Sequence, residues 1–235
     1  MGTTAVIAAY NEEKTIAEVL GALQASPLID EVILVSDGST DDTVAIARTF
    51  DGVKTLALRE NRGKGYAMRM GVDHAENDIL FFVDGDMFNV TQKHIADLVL
   101  PVLAGQCDMN IGIRDRGSIL NFMHLKLKCG PVLSGIRVMR REVFETVPTK
   151  YQERFKIEAA LNCFCASAGL EQTQTIIQNL GHVIKESKRG FVNGLRSRWE
   201  MSREVFLLLF DLYLFETWRW TTAEELPVPE FEVYE

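Results

Sequence analysis

Cysteine is scarce in this chain. Its four residues (Cys107, Cys129, Cys163 and Cys165) form no CxxC pair in a sequence of 235. That excludes a disulfide scaffold and argues against a zinc ribbon or a thioredoxin-type site. Reduced, mostly buried thiols in a reducing compartment are expected instead. Long apolar runs are missing too: no stretch reaches the roughly 18 uncharged apolar residues that suggest a membrane span. Proline is sparse at 6 residues, and no Gly/Ser/Pro linker or internal repeat divides the chain. With 47% hydrophobic and 25% charged residues, the composition excludes disordered and collagenous classes. Met1–Thr4 leads straight into an apolar run without a basic leader, and Val6 breaks the N-myristoylation pattern. A cytoplasmic protein is the expectation.

Positive charge is also in deficit, with 25 Lys and Arg against 33 Asp and Glu and a net charge of −8. A generally acidic surface does not gather nucleic acid, so no nucleic-acid partner is expected and any phosphate must meet a local basic cluster. Two such clusters exist. Lys185–Arg203 holds six basic residues against two Glu, and Arg59–Arg69 holds four against one. The last thirteen residues carry five Glu and no base. Charge segregated in this way suits a site for a small anion.

What is present is alternation. Apolar, β-prone runs at Thr4–Ala9, Glu31–Val35, Val53–Leu58, Ile79–Val83 and Asp108–Ile113 predict strands. Helical spacing over Glu12–Gln24, Asp41–Phe50, Lys64–His74 and Thr91–Leu103 separates them. This order predicts βαβ units, a mostly parallel sheet and helices on both faces. The second half is less regular. Strands are expected at Ser134–Met139 and within Thr173–Lys185, a helical turn at Arg141–Val147, and helices at Phe155–Ala168 and Leu195–Trp220.

Ligands of such sheets bind at the carboxyl ends of the strands. Four strand ends here carry polar tips: Ala9–Glu13, Ser36–Asp42, Glu60–Gly65 and Asp84–Asp86. Asp84-Gly85-Asp86 is the sharpest. It places two carboxylates on either side of one small residue as an apolar strand emerges, and oxygen donors of this kind suit Mg²⁺ or Mn²⁺. Gly63-Lys64-Gly65 begins like a dinucleotide fingerprint, but Met68 stands where the third Gly belongs and the motif follows the third strand, so a Rossmann NAD site is rejected. Arg62 and Lys64 still fit an anion near a helix start.

Taken together, Val6–Glu13, Glu31–Thr43, Glu60–Gly65 and Asp84–Asp86 closely resemble the successive motifs of family 2 glycosyltransferases. Leu133–Val143 resembles a later segment of the dolichyl-phosphate mannose synthase-like branch. The resemblance covers about residues 4–190 and implies an α/β chain of the GT-A type, a nucleotide-diphospho-sugar transferase fold. It implies a metal-dependent, inverting transfer of a sugar from a UDP- or GDP-linked donor to a polyprenyl phosphate or a hydroxyl acceptor.

Site roles follow from the same resemblance. Ala9, Tyr10, Asn11, Glu12 and Asp37 would line the nucleoside pocket, and Arg62 and Lys64 would face the donor. Asp84-Gly85-Asp86 is the DxD element, with Asp86 on the metal directly and Asp84 on the metal or the ribose and sugar. The branch often has Gln two residues after DxD; this chain has Phe88, and His182 is the candidate third ligand. Lys185, Lys188 and Arg189 would meet the diphosphate. Glu158 resembles the ED element, whose acid is the catalytic base toward a hydroxyl acceptor. A phosphate acceptor needs no base, and Arg137, with Ser134 and Gly135, would then hold it.

The expected organisation is a transferase domain over 1–194, with a nucleotide half to about 114 and an acceptor half over 115–194. An amphipathic helix over 195–222 and an acidic tail over 223–235 follow. Apolar residues on that helix exceed one packing face. They predict a homo-oligomer contact or, with Trp199, Trp218 and Trp220, attachment at the inner face of the membrane. The competing functional class is a non-catalytic nucleotide-sugar binding protein of the same fold. A nucleotidyltransferase is disfavoured, because no Gly-rich basic loop follows the first strand.

Overall fold

The computed structural model describes residues 1–115, 134–152, 156–182 and 231–234. Its first strands are apolar on both faces, as strands covered on two sides must be. β1 (Thr3–Ala9), β2 (Glu31–Ser36) and β4 (Ile79–Asp84) are buried along almost their whole length. Between them run α1 (Ile16–Gln24), α2 (Thr43–Ala47), β3 (Val53–Leu58) and α3 (Lys64–His74). β5 (Met87–Phe88), α4 (Gln92–Leu103) and β6 (Met109–Arg114) follow. The later part comprises β7 (Arg137–Arg140), α5 (Arg141–Glu145), a single 3₁₀ turn (Thr149–Tyr151) and α6 (Lys156–Ser167). β8 (Gln172–Ile177), β9 (Gly181–His182) and β10 (Phe231–Tyr234) complete the described elements.

Eight strands form one sheet in the order β10-β3-β2-β1-β4-β7-β6-β8, and β5 pairs with β9 in a small second ladder. β1 is parallel to both neighbours, β2 and β4, whereas β7 runs antiparallel to β4 and β6. The strand order therefore reverses at β1/β4, the point at which sheets of this kind bind ligands beyond their carboxyl ends. Alternate residues divide the core between the two faces. Ala5, Ile7, Phe81 and Val83 pack with α1, α2 and α4. Val6, Leu80 and Phe82 pack with α3, α5 and α6.

Several boundaries differ from the sequence expectation. α1 begins at Ile16, not Glu12, because the backbone N–H groups of Asn11, Glu12 and Glu13 donate to Ser39, Thr43 and Asp41 in the neighbouring loop. α2 starts at Thr43, not Asp41, since Asp41 spends its carboxylate on the backbone N–H and hydroxyl of Thr43, and it ends at Ala47, where the N–H groups of Thr49 and Phe50 turn back to Ile46 and Ala47. α4 starts after Thr91, which caps it by accepting from the N–H of His94. The acidic end, expected as a tail, contributes β10, antiparallel to β3 at the sheet edge. The helix expected over Leu195–Trp220 lies outside the described residues, as do Lys185, Lys188 and Arg189. Among the described residues, no helix is long and apolar enough to cross a membrane.

Candidate active site

All four polar strand ends meet at the carboxyl edge of β1–β4. The loop after β1 is stapled to the loop after β2: Asn11 accepts from the Thr40 N–H, and Glu13 accepts from that of Asp42. Asn11 itself takes a left-handed conformation (φ 56°), which Asn tolerates better than most residues. The Ala9 carbonyl accepts from the Asp37 N–H. Tyr10 and Glu12 are half-buried on this rim.

Asp37 ties the second loop to the third. Its two carboxylate oxygens accept the backbone N–H groups of Arg62 (2.7 Å) and Gly63 (2.9 Å), and its carbonyl accepts from the Asn61 amide. Burial pushes the Asp37 carboxyl above its ordinary range, against the opposing pull of those two N–H groups and the Arg62 charge. Gly38 is required here twice over: its φ is +70°, and a Cβ would stand 2.7 Å from the Asn61 backbone nitrogen. The Arg62 guanidinium is exposed at the rim, stacked 5.4 Å from the centre of the Tyr66 ring.

The DxD element leaves β4 at Asp84. The Gly85 carbonyl accepts the buried hydroxyl of Thr15 at 2.7 Å, which fixes the turn against the first loop. Asp86 is 9% exposed, at the start of β5. One residue later, Met87 pairs with His182 across the β5–β9 ladder. The segment carrying His182 is thus brought beside DxD by the backbone. Phe88, which stands in place of a polar residue, lays its ring over Gly181.

Lys64 is the residue whose role the sequence did not reveal. Rather than standing open to a donor, its ammonium lies 2.5 Å from Asp84 Oδ1 and 2.7 Å from Glu158 Oε1. Burial alone would weaken this charge, but the Asp84 and Glu158 carboxylates outweigh it and hold the ammonium above its ordinary range. A signal for this was available. Lys64 is the first residue of α3, where the helix dipole disfavours a cation, so it needs carboxylate partners.

The later half of the chain closes over this pair. A Cβ on Gly135 would stand 2.2 Å from Lys64 Nζ and 2.3 Å from both Asp84 oxygens, so any side chain here would displace the ends of the ion pair. Ser134 donates its hydroxyl to the Gly112 carbonyl. Arg137 requires a correction. Expected at an acceptor phosphate, it is fully buried, and its guanidinium donates to the Ser134 carbonyl, the Glu158 carbonyl and the Asn162 side chain. Burial lowers its pKa, against the carboxylates of Glu158 and Asp84. A charge placed so deep is retained through satisfied hydrogen bonds, and here it braces the Ser134–Gly135 turn against α6. β7 consequently begins at Arg137, not Ser134.

The donor set at the strand end is two carboxylates with glycine between and beside them, which fits a hard, oxygen-loving cation. Among the described residues, no three His, Cys, Asp or Glu side chains converge as a ready-made metal cluster, and the two carboxylates are the donors in place. A family profile, Glycosyl transferase family 2, matches residues 4–122. The chain belongs to this family. The match spans all four loops just described, and the sheet is of the GT-A type. Dodecaprenyl-phosphate galacturonate synthase from Rhizobium johnstonii is 35% identical over 118 residues, 46% of this chain and 35% of that protein. Dolichyl-phosphate beta-glucosyltransferase from Drosophila melanogaster is 40% identical over 96 residues, 34% of this chain and 29% of that one. The chain thus spans about a third of the length of these curated relatives. Glucosyl-3-phosphoglycerate synthase from Mycobacterium tuberculosis, crystallised with Mn²⁺, UDP-glucose and phosphoglyceric acid, superposes with a TM-score of 0.71 at 25% identity, over 89% of this chain and 79% of that one. The same enzyme has been crystallised with Mg²⁺ and UDP.

Proposed function

We propose that this family 2 chain is a metal-dependent glycosyltransferase that moves a sugar from a nucleoside-diphosphate donor to an acceptor oxygen. One observation carries the reading. Asp84 and Asp86 emerge at the reversal point of the sheet, ringed by the three other motif loops. Asp86 and Asp84 would hold Mg²⁺ or Mn²⁺, with His182 as third ligand; the pairing of His182 with Met87 supports that choice. Bound there, the cation would neutralise charge developing on the leaving diphosphate. Tyr10, Asn11, Glu12 and Asp37 would orient the nucleoside, and Gly85 would let the sugar-diphosphate approach the first loop. Lys185, Lys188 and Arg189 would meet the diphosphate from the segment after β9. A UDP-linked donor is favoured over a GDP-linked one by the UDP complexes of the structural neighbour.

For the acceptor, a polyprenyl phosphate is favoured. Glu158 is 8% exposed and its Oε1 is occupied by the Lys64 ammonium at 2.7 Å, so that oxygen is not open to take a proton from an acceptor hydroxyl. A phosphate oxygen needs no base. The dodecaprenyl-phosphate and dolichyl-phosphate relatives point the same way. A small phosphorylated hydroxyl acceptor is the second reading, supported by the phosphoglyceric acid complex of the structural neighbour. The acceptor oxygen would attack opposite the leaving diphosphate, with inversion at the anomeric carbon, in the cytoplasm or at the inner membrane face.

Asp86→Ala is expected to lower transfer by about a thousandfold or more while the circular dichroism spectrum stays native. Full turnover by that variant, or in excess chelator, defeats the reading. Binding of UDP without transfer or donor hydrolysis would establish the non-catalytic alternative. Labelled UDP-sugars offered with a polyprenyl phosphate or with phosphoglycerate separate the acceptors, and NMR of the product reads the anomer.

A further inference from the structure

We propose that Lys64 is the resident counter-cation of the acidic pair, and that Glu158 is the second berth that lets Lys64 leave Asp84 when a divalent cation binds. The proposal rests on reading Asp84 and Asp86 as the metal site. It starts from a competition visible in the geometry. Lys64 Nζ occupies Asp84 Oδ1, a ligand atom in that reading, and touches Glu158 Oε1 at the same time. The three side chains are only 17%, 26% and 11% exposed, so solvent screens their charges weakly. An ammonium and a divalent cation on one carboxylate repel strongly at such separations.

Lys64 has a place to go. An ammonium carries three donors on a flexible stem, so a small swing transfers it wholly to Glu158. The Gly135 backbone packs against the other side of the pair and narrows the alternatives. Glu158 is held in reach because Arg137 bonds its backbone carbonyl at 3.2 Å and the Ser134 carbonyl at 2.6 Å. The acceptor half therefore acts on the metal site through one lysine. Glu158 is here a positioning residue, not a base.

The two partners are expected to move metal affinity in opposite directions, which a merely structural pair would not do. Binding of Mn²⁺ alone, read as loss of the free-ion EPR signal, measures this without turnover. Lys64→Gln removes the competitor and is expected to tighten Mn²⁺ binding on the order of tenfold. Glu158→Gln strands Lys64 on Asp84 and is expected to weaken it by about threefold to tenfold. Lys64→Gln/Glu158→Gln is expected to follow Lys64→Gln, and Lys64→Arg to stay near wild type. Native circular dichroism and a thermal melt confirm the fold of each variant. A folded Lys64→Gln protein that binds Mn²⁺ no more tightly than wild type overturns the proposal, as does unchanged or tighter binding by Glu158→Gln. Should Lys64→Gln fail to fold, Glu158→Gln alone decides. Asp86→Ala separates the two levels: if it binds Mn²⁺ like wild type, the metal-site reading itself fails. If it loses binding while Lys64→Gln is unchanged, only the counter-cation proposal fails. No binding by wild type or Lys64→Gln removes both.

Discussion

The loops after β1 and β2 and the loop before β7 reach the same site by different means. The first two are laced to each other through Asn11, Glu13, Ser39, Asp41 and Thr43, all within the motifs themselves. The Ser134–Gly135 turn has no comparable lacing. It is held by a buried guanidinium behind it and by the Ser134 hydroxyl on the Gly112 carbonyl, and it presents one glycine to an ion pair in front. The loops after β1 and β2 are thus joined by many small polar contacts at the rim, and the turn before β7 by a few hydrogen bonds from a fully buried charge. Loss of one rim contact should accordingly cost little, and loss of the buried guanidinium should cost more.

The strongest way to break this contrast is to attack the core the two halves share. Phe82 of β4 stacks on Phe144 of α5 with centroids 5.6 Å apart, and both are almost fully buried. Phe82→Ala is expected to cost about 3–5 kcal/mol in urea unfolding, with both halves lost in one transition. A separate, earlier transition for the later half would show that the halves are energetically independent.

Arg137→Met sharpens the contrast directly. It leaves the Ser134 and Glu158 carbonyls without their donor, for an expected loss of about 2–4 kcal/mol. The acceptor KM is expected to change less than kcat. A raised KM with unchanged stability would restore the phosphate-binding role that the sequence suggested. On the nucleotide side, Thr15→Val removes the hydroxyl that Gly85 accepts, for an expected loss of about 1–2 kcal/mol and a weakened response to UDP with Mn²⁺ in thermal shift. An unchanged melt would mean the DxD turn holds itself.

The smallest effect is confined to alkaline pH. Burial, helped by Asp108, pushes the Cys165 thiol up to about 11 from an ordinary 9.0. Its folded pKa is raised, so the stabilisation is full below about pH 9 and is lost as pH rises through 11. Cys165→Ala should flatten that alkaline loss by on the order of 2 kcal/mol, while leaving the difference between the halves at neutral pH untouched. A parallel decline in both proteins would assign the loss to other groups.

Much of this was legible along the chain. Strand and helix order, the sheet's parallel character and the four polar tips follow from apolar periodicity and turn chemistry, which act over a few residues. The boundaries that shifted did so where a polar side chain served a neighbouring loop, as at Asn11–Glu13 and Asp41. β5 was too short to carry a period, and β10, four residues with Glu232 among them, was concealed in an acidic stretch, which an edge strand tolerates.

Residue types at the strand ends already specified an acidic, oxygen-rich site on a βαβ sheet, because each motif is contiguous and its chemistry is local. Partnership was another matter. Lys64 and Glu158 lie 94 positions apart, and nothing in either segment names the other. Arg137 reads as a phosphate ligand until β7 is laid between β4 and β6, which buries it completely. Periodicity reports which face a residue occupies. It does not report what stands opposite, and for buried charges the opposite group decides whether the side chain binds a substrate, neutralises a neighbour or holds a turn in place.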